Sequence, residues 1–117
     1  MEINRREFIQ MTAVAAAAST YAAPSSDELA RLTISEASRK IHSGEINCVE
    51  LTEACIARAK AYNPKINAYI TIMSEPALAQ AKALDAEAKA GKFRGPLHGI
   101  PVALKDNIDT VGAHHRR

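Results

Sequence analysis

Among the 117 residues of this chain, Lys105 has the strongest claim to chemistry. It follows the apolar run Val102-Ala103-Leu104 and precedes Asp106-Asn107. A continuous apolar run is the pattern of a strand covered on both faces, which would put the ammonium at the end of a buried element. Burial disfavours the charged form of a lysine, and a neutral lysine accepts a proton, as a general base must. The same pattern also suits an ordinary solvated strand end. Asp106 and Asn107 add hydrogen-bonding groups beside it, either to position reacting groups or to cap the strand. Upstream, Gly95-Pro96-Leu97-His98-Gly99-Ile100-Pro101 holds two glycines and two prolines in seven residues, which fixes one loop shape. His98 within it is expected to make a loop hydrogen bond rather than to shuttle protons.

The other reactive side chains read as structural. Cys48 and Cys55 lie seven apart in a predicted helix, so their Cα atoms are separated by roughly 10.5 Å at 1.5 Å per residue. That exceeds the roughly 7 Å reach of a disulfide, and both are expected as small buried hydrophobes. Neither has a histidine or second cysteine at metal-ligand spacing. His114 and His115 are adjacent and cannot share a helix face, so they read as part of a charged tail with Arg116-Arg117. No metal and no cofactor is expected.

Capped helices feeding strands must position the lysine. Ser25 and Ser26 can cap a short turn, with Asp27 and Glu28 at its positive end and Leu29 and Leu32 as apolar contacts. Thr33-Ile34-Ser35-Glu36 has the form of a capping box opening a helix with Ile34, Ala37 and Ile41 on its apolar side, stopped at Gly44. Asn47-Cys48-Val49-Glu50 repeats that grammar for a helix with the stripe Cys48, Leu51, Cys55, Ala59 and Tyr62, ended by Asn63-Pro64. Residues 66–73 alternate Ile66, Ala68, Ile70 and Ile72 against polar or aromatic neighbours and predict a strand. Ser74 with Pro76 starts a last helix bearing Ala77, Ala81, Leu84 and Ala88, closed by Gly91.

The run from Gly95 to Gly112 resembles the catalytic-lysine segment of the amidase signature family nearly residue for residue. Asn63-Pro64-Lys65-Ile66-Asn67-Ala68-Tyr69, the Gly44-Glu45-Ile46 stretch and Leu51-Thr52-Glu53-Ala54-Cys55 resemble that family's N-terminal helices, so the similarity covers residues 29–112. It implies an α/β fold: N-terminal helices plus the first core strands of a helix–sheet–helix sandwich, here truncated. It also implies amide C–N hydrolysis through a lysine, a serine in a cis peptide and a nucleophilic serine, without a metal. On that resemblance Lys105 takes the nucleophile's proton through the bridging serine and later supplies a proton to the leaving amine. The family's two serines lie beyond the lysine motif, whereas the serines here, at 19, 25, 26, 35, 38, 43 and 74, all precede it. The resemblance therefore implies an N-terminal portion of an amidase domain, residues 23–117, that is inactive alone and acts on a small amide once completed by the missing C-terminal portion. After Val111-Gly112 the sequence Ala113-His114-His115-Arg116-Arg117 departs from the family pattern.

Charge and composition bound the remaining readings. Residues 23–115 carry 11 basic and 11 acidic side chains, so the net +2 arises outside them and leaves no clustered basic face for nucleic acid. Aromatics are 4% and tryptophan is absent, so the apolar total rests on alanine. Such faces bury little area each, at roughly 25 cal/mol per Å², and the core needs close backbone approach or additional chain. Arg5-Arg6, the stretch from Ile9 to Ala18 and the small residues before Ala23 have a signal-peptide layout over residues 1–22, resembling the twin-arginine type. An ordinary amphipathic N-terminal helix is the alternative. The stretch is shorter than the roughly 20 residues that span a bilayer, so no permanent membrane span is expected. Export to the periplasm or medium follows if the signal works, and a cytoplasmic location if it does not. Two other functions stay open: the A-subunit of glutamyl-tRNA amidotransferase, which within the resemblance makes ammonia from glutamine, and a noncatalytic helical interaction module.

Overall fold

The structure, a computed structural model, describes residues 24–111. The signal-like segment and His114-His115 lie outside them. Four helices form in the order α1 (Ser26–Leu29), α2 (Ile34–Ser43), α3 (Cys48–Ile66) and α4 (Ser74–Lys89).

Reciprocal caps start the first three helices. Ser25, Thr33 and Asn47 each accept the backbone N–H of the residue three positions on, and Glu28, Glu36 and Glu50 each return a carboxylate to the cap's own N–H. Glu36 accepts from Thr33 N at 2.8 Å and from Thr33 Oγ1 at 2.7 Å. α2 ends on Gly44 in the left-handed region at φ +75°, where a side chain would be strained. The chain then turns to bury Ile46 before Asn47 opens α3.

α1 and α4 both pack on α3. Leu29, Ile41, Ile46, Leu51 and Ala54 meet around Cys48, which is fully buried. Ala81 brings α4 in with its small side chain, and Leu84 flanks it half-buried. Asp27 pairs with Arg31 at 2.8 Å and with Arg58 of α3 at 3.3 Å. These pairs are exposed and screened by solvent, so they contribute little. Among the described residues, no helix is long and apolar enough to cross a membrane.

Several expectations are corrected. α3 runs through Pro64 to Ile66 instead of stopping at Asn63. Proline forfeits one helical N–H bond, but in the final turn Asn67 closes the helix with φ +48° and N–H donation to Asn63 O at 2.8 Å. Ile34 and Tyr62, predicted on apolar stripes, are 62% and 47% exposed. Ile34 is the first residue of its helix, and the Tyr62 ring lies under the Arg58 guanidinium at 5.5 Å. Neither predicted strand, over 66–73 or at 102–104, forms, and the described residues are helical with no strand. A strand requires a partner for its backbone groups, and neither segment is paired in a ladder among the described residues.

Candidate functional site

The turn from Phe93 to Ile100 docks into the helical core and launches the lysine segment. His98 is 3% exposed and uses both ring nitrogens. Its Nδ1 accepts the Arg94 N–H at 3.1 Å, so Nε2 carries the proton and donates to Leu84 O of α4 at 2.9 Å. Phe93 meets the His98 ring edge-on at 5.2 Å and stacks on His42 of α2 at 4.3 Å. Ser38 Oγ, also on α2, donates to Pro96 O at 2.6 Å. Gly99 has φ +76° and lies against Cys48, so that a Cβ there would overlap the Cys48 sulfur. The expectation of a hydrogen-bonded His98 in a rigid loop holds.

Asp85 of α4, which no sequence motif singles out, ties the same region together. Its two carboxylate oxygens accept Cys48 N–H at 2.6 Å and Val49 N–H at 3.1 Å, capping the positive end of α3 from a second helix. An acid inside an alanine-rich helix was the only sequence signal for it. Burial, reinforced by Asp85, pushes the Cys48 thiol up to about 12. Burial also raises Cys55, and both cysteines are free. Neither is a nucleophile near neutral pH.

Beyond Ile100 the environment changes. Val102 and Leu104 are 70% and 56% exposed, and Lys105 is exposed as well. The buried strand end expected for Lys105 is therefore not formed by the described residues, because no element covers the run that precedes it. Asp106 and Asn107 occupy the middle of a turn closed by Ile108 N–H donating to Lys105 O at 3.0 Å. No strand end forms there for them to cap.

Lys105 and Asp106 line an open groove of about 820 Å³. Cys55 and Ile56 of α3, Tyr69 and Ile72, and Val102 and Leu104 line it with them. Tyr69 is pinned by Asn63, whose side-chain amide accepts Tyr69 N–H at 2.8 Å and donates to Tyr69 O at 3.0 Å. The groove brings Lys105 together with both segments predicted as strands. Among the described residues, no cluster of acidic, cysteine and histidine side chains could hold a metal.

Comparison with known proteins supplies what this geometry leaves open. The family described as Amidase matches residues 50–116. The chain is 51% identical over 87 residues to the glutamyl-tRNA(Gln) amidotransferase A-subunit of Sinorhizobium fredii, covering 74% of this chain and 17% of that protein. It is 46% identical over 85 residues to the protein of the same name from Chloroflexus aurantiacus, covering 73% and 18%. With an amidase of Pseudomonas putida it shares 38% identity over 84 residues, covering 72% and 18%. The chain thus spans less than a fifth of the length of these curated relatives. No solved structure matches it.

Proposed function

The chain belongs to the amidase family, and from that premise we propose that it is the lysine-bearing N-terminal portion of an enzyme that cleaves carboxylic amide C–N bonds. The observation that carries this reading is the placement of Lys105. It stands on the family-matched segment, lines an open groove and follows shortly after a docked turn. In the complete enzyme Lys105 is the base: it receives the proton of the nucleophilic serine through a bridging serine and returns one to the departing amine. Both serines come from chain beyond this sequence, because every serine here precedes Lys105 and none lines the groove.

We propose that the complete protein has an α/β core. Residues 66–73 and 102–105 become core strands once further chain pairs with them. Their exposed, strand-like side chains support this: Ile70 is 55% exposed and Val102 70%. Covering that face would also bury Lys105.

Joining this chain through Val111 to the remainder of the Pseudomonas putida amidase provides the test, with release of ammonia from small amides as the readout. Lys105→Ala should lower kcat by at least about 10³-fold, the scale on which one member of a nucleophile-and-base set acts. A hybrid that hydrolyses amides equally well with alanine at 105 sinks the reading.

The 51% identity to an amidotransferase A-subunit favours a second reading, in which the amide is that of glutamine and the completed protein works with other subunits. Location separates the two. We propose export directed by Arg5-Arg6 for the amidase reading, and N-terminal sequencing of the exported protein should find it starting at Ala23. Retention of residues 1–22 in the cytoplasm favours the amidotransferase.

A further inference from the structure

We propose that His98 is a positioning residue for Lys105, fixing the origin of the lysine segment through its two ring hydrogen bonds. The proposal rests on the reading of Lys105 as the base. The imidazole connects the turn both to itself and to a helix. Nδ1 holds the turn's entry at Arg94 N, and Nε2 holds α4 at Leu84 O. Phe93 closes over its edge and is itself stacked on His42 of α2. The residue after His98 is Gly99, pressed against Cys48 at the start of α3. Three helices therefore converge on the point from which the chain leaves for Lys105. Past Ile100 the side chains lose that contact, and Val102, Leu104 and Lys105 are all exposed. The direction in which the lysine segment departs is set at its near end.

This role differs from general packing in a way that can be read out. A phenylalanine at 98 fills the same space and abolishes both hydrogen bonds, whereas a glutamine can accept from Arg94 N–H with its carbonyl and donate to Leu84 O with its amide. The measurement is backbone ¹⁵N relaxation on the full 117-residue chain, comparing order parameters for residues 95–106 with those of α3 and α4. In the unaltered chain Lys105 should stay above about 0.6, with the helices near about 0.85. His98→Phe should drop residues 95–106 below about 0.6 while α3 and α4 hold their values, and His98→Gln should restore most of the loss.

An unchanged Lys105 in His98→Phe overturns the proposal. Melting of α4 in that variant also overturns it, because the histidine would then support the bundle at large. Failure of glutamine to restore order after a phenylalanine-induced loss shows that an acceptor and a donor at position 98 do not suffice, and it overturns the hydrogen-bond mechanism. None of these outcomes depends on proton transfer by Lys105, so a failure here is separable from a failure of the Lys105→Ala test.

Discussion

His98 and Lys105 are seven residues apart and occupy opposite environments. One is 3% exposed with each ring nitrogen bonded; the other is exposed and lines a groove. Residues 93–100 are held by a ring stack, a serine hydroxyl, a backbone carbonyl of α4 and a glycine contact with Cys48. Residues 101–108 contain a turn closed by Ile108 N–H on Lys105 O and are largely exposed. The difference shows how order is handed along a chain. Local caps and small-residue packing bury the helical side, while the strand-like side presents exposed apolar groups such as Val102 and Leu104. Lys105 lies on the exposed side of this boundary.

Paired truncations on the two sides test that contrast most strongly. Leu51 is 3% exposed in the helical core and Leu104 is 56% exposed beside the lysine. Leu51→Ala should destabilise the chain by about 3 kcal/mol, the transfer and cavity cost of a buried leucine. Leu104→Ala should change stability by no more than about 0.5 kcal/mol, as expected for an exposed position. Urea midpoints for the two variants check this, and comparable losses would mean that the lysine segment is already part of the core. The hybrid with the Pseudomonas putida amidase sharpens the point, since covering Leu104 there should bring its cost up toward that of Leu51.

Gly99 is the next lever, because it marks the last tightly packed position before the change. Its positive φ disfavours any side chain, and a Cβ would come within 3.0 Å of Cys48 Cβ and closer to the sulfur. Gly99→Ala should cost about 2 kcal/mol from overpacking and backbone strain together. Adding Cys48→Ala removes the obstructing sulfur and should return part of that loss, as thermal unfolding of the single and double variants would register. Additive losses would place the strain in the backbone alone.

The same boundary divides what the sequence could disclose. Thr33 with Glu36, Asn47 with Glu50 and the stop at Gly44 were legible because a cap is decided within four residues by side-chain reach and backbone geometry. His98 was legible as a bonded loop residue because Gly95, Pro96, Gly99 and Pro101 restrict its surroundings. Asp85 was not, since its partners Cys48 N and Val49 N belong to another helix and no spacing rule links position 85 to 48. Nor was the passage of α3 through Pro64, which depends on Asn63 and Asn67 rescuing the final turn. The predicted strands follow the same logic: alternation describes a preference, while pairing requires another segment in space. Lys105 was identified by resemblance, and the exposure of its side chain follows from the missing cover over Val102 and Leu104.

The smallest expected effect concerns acid, and it arises on the docked side. Thr33's backbone N–H, followed by its hydroxyl, holds the Glu36 carboxyl below the usual range, and Ser25 does the same for Glu28. The hydrogen bond from Arg94 likewise lowers Glu87 beside the docked turn. Each folded-state value lies below that of the unfolded chain, so in the window between them the unfolded state binds fewer protons than a fully protonated chain but more than the folded one. The stabilisation is present above about pH 4.3, the ordinary glutamate value, and is lost as pH falls through the depressed values. Glu36→Gln keeps an oxygen able to accept from Thr33 N–H but removes one titration, so its thermal midpoint should fall less steeply between about pH 5 and pH 3 than that of the unaltered chain. All three carboxylates are solvent-facing, so added salt should flatten part of the dependence that Arg94 creates at Glu87 and leave the neutral hydrogen-bond donors of the Thr33 cap. An acid slope identical in the two chains would remove the Thr33 cap from the balance and leave the sensitivity to the Ser25–Glu28 cap and to the Glu87–Arg94 tether, at the edge where the docked turn gives way to the lysine segment.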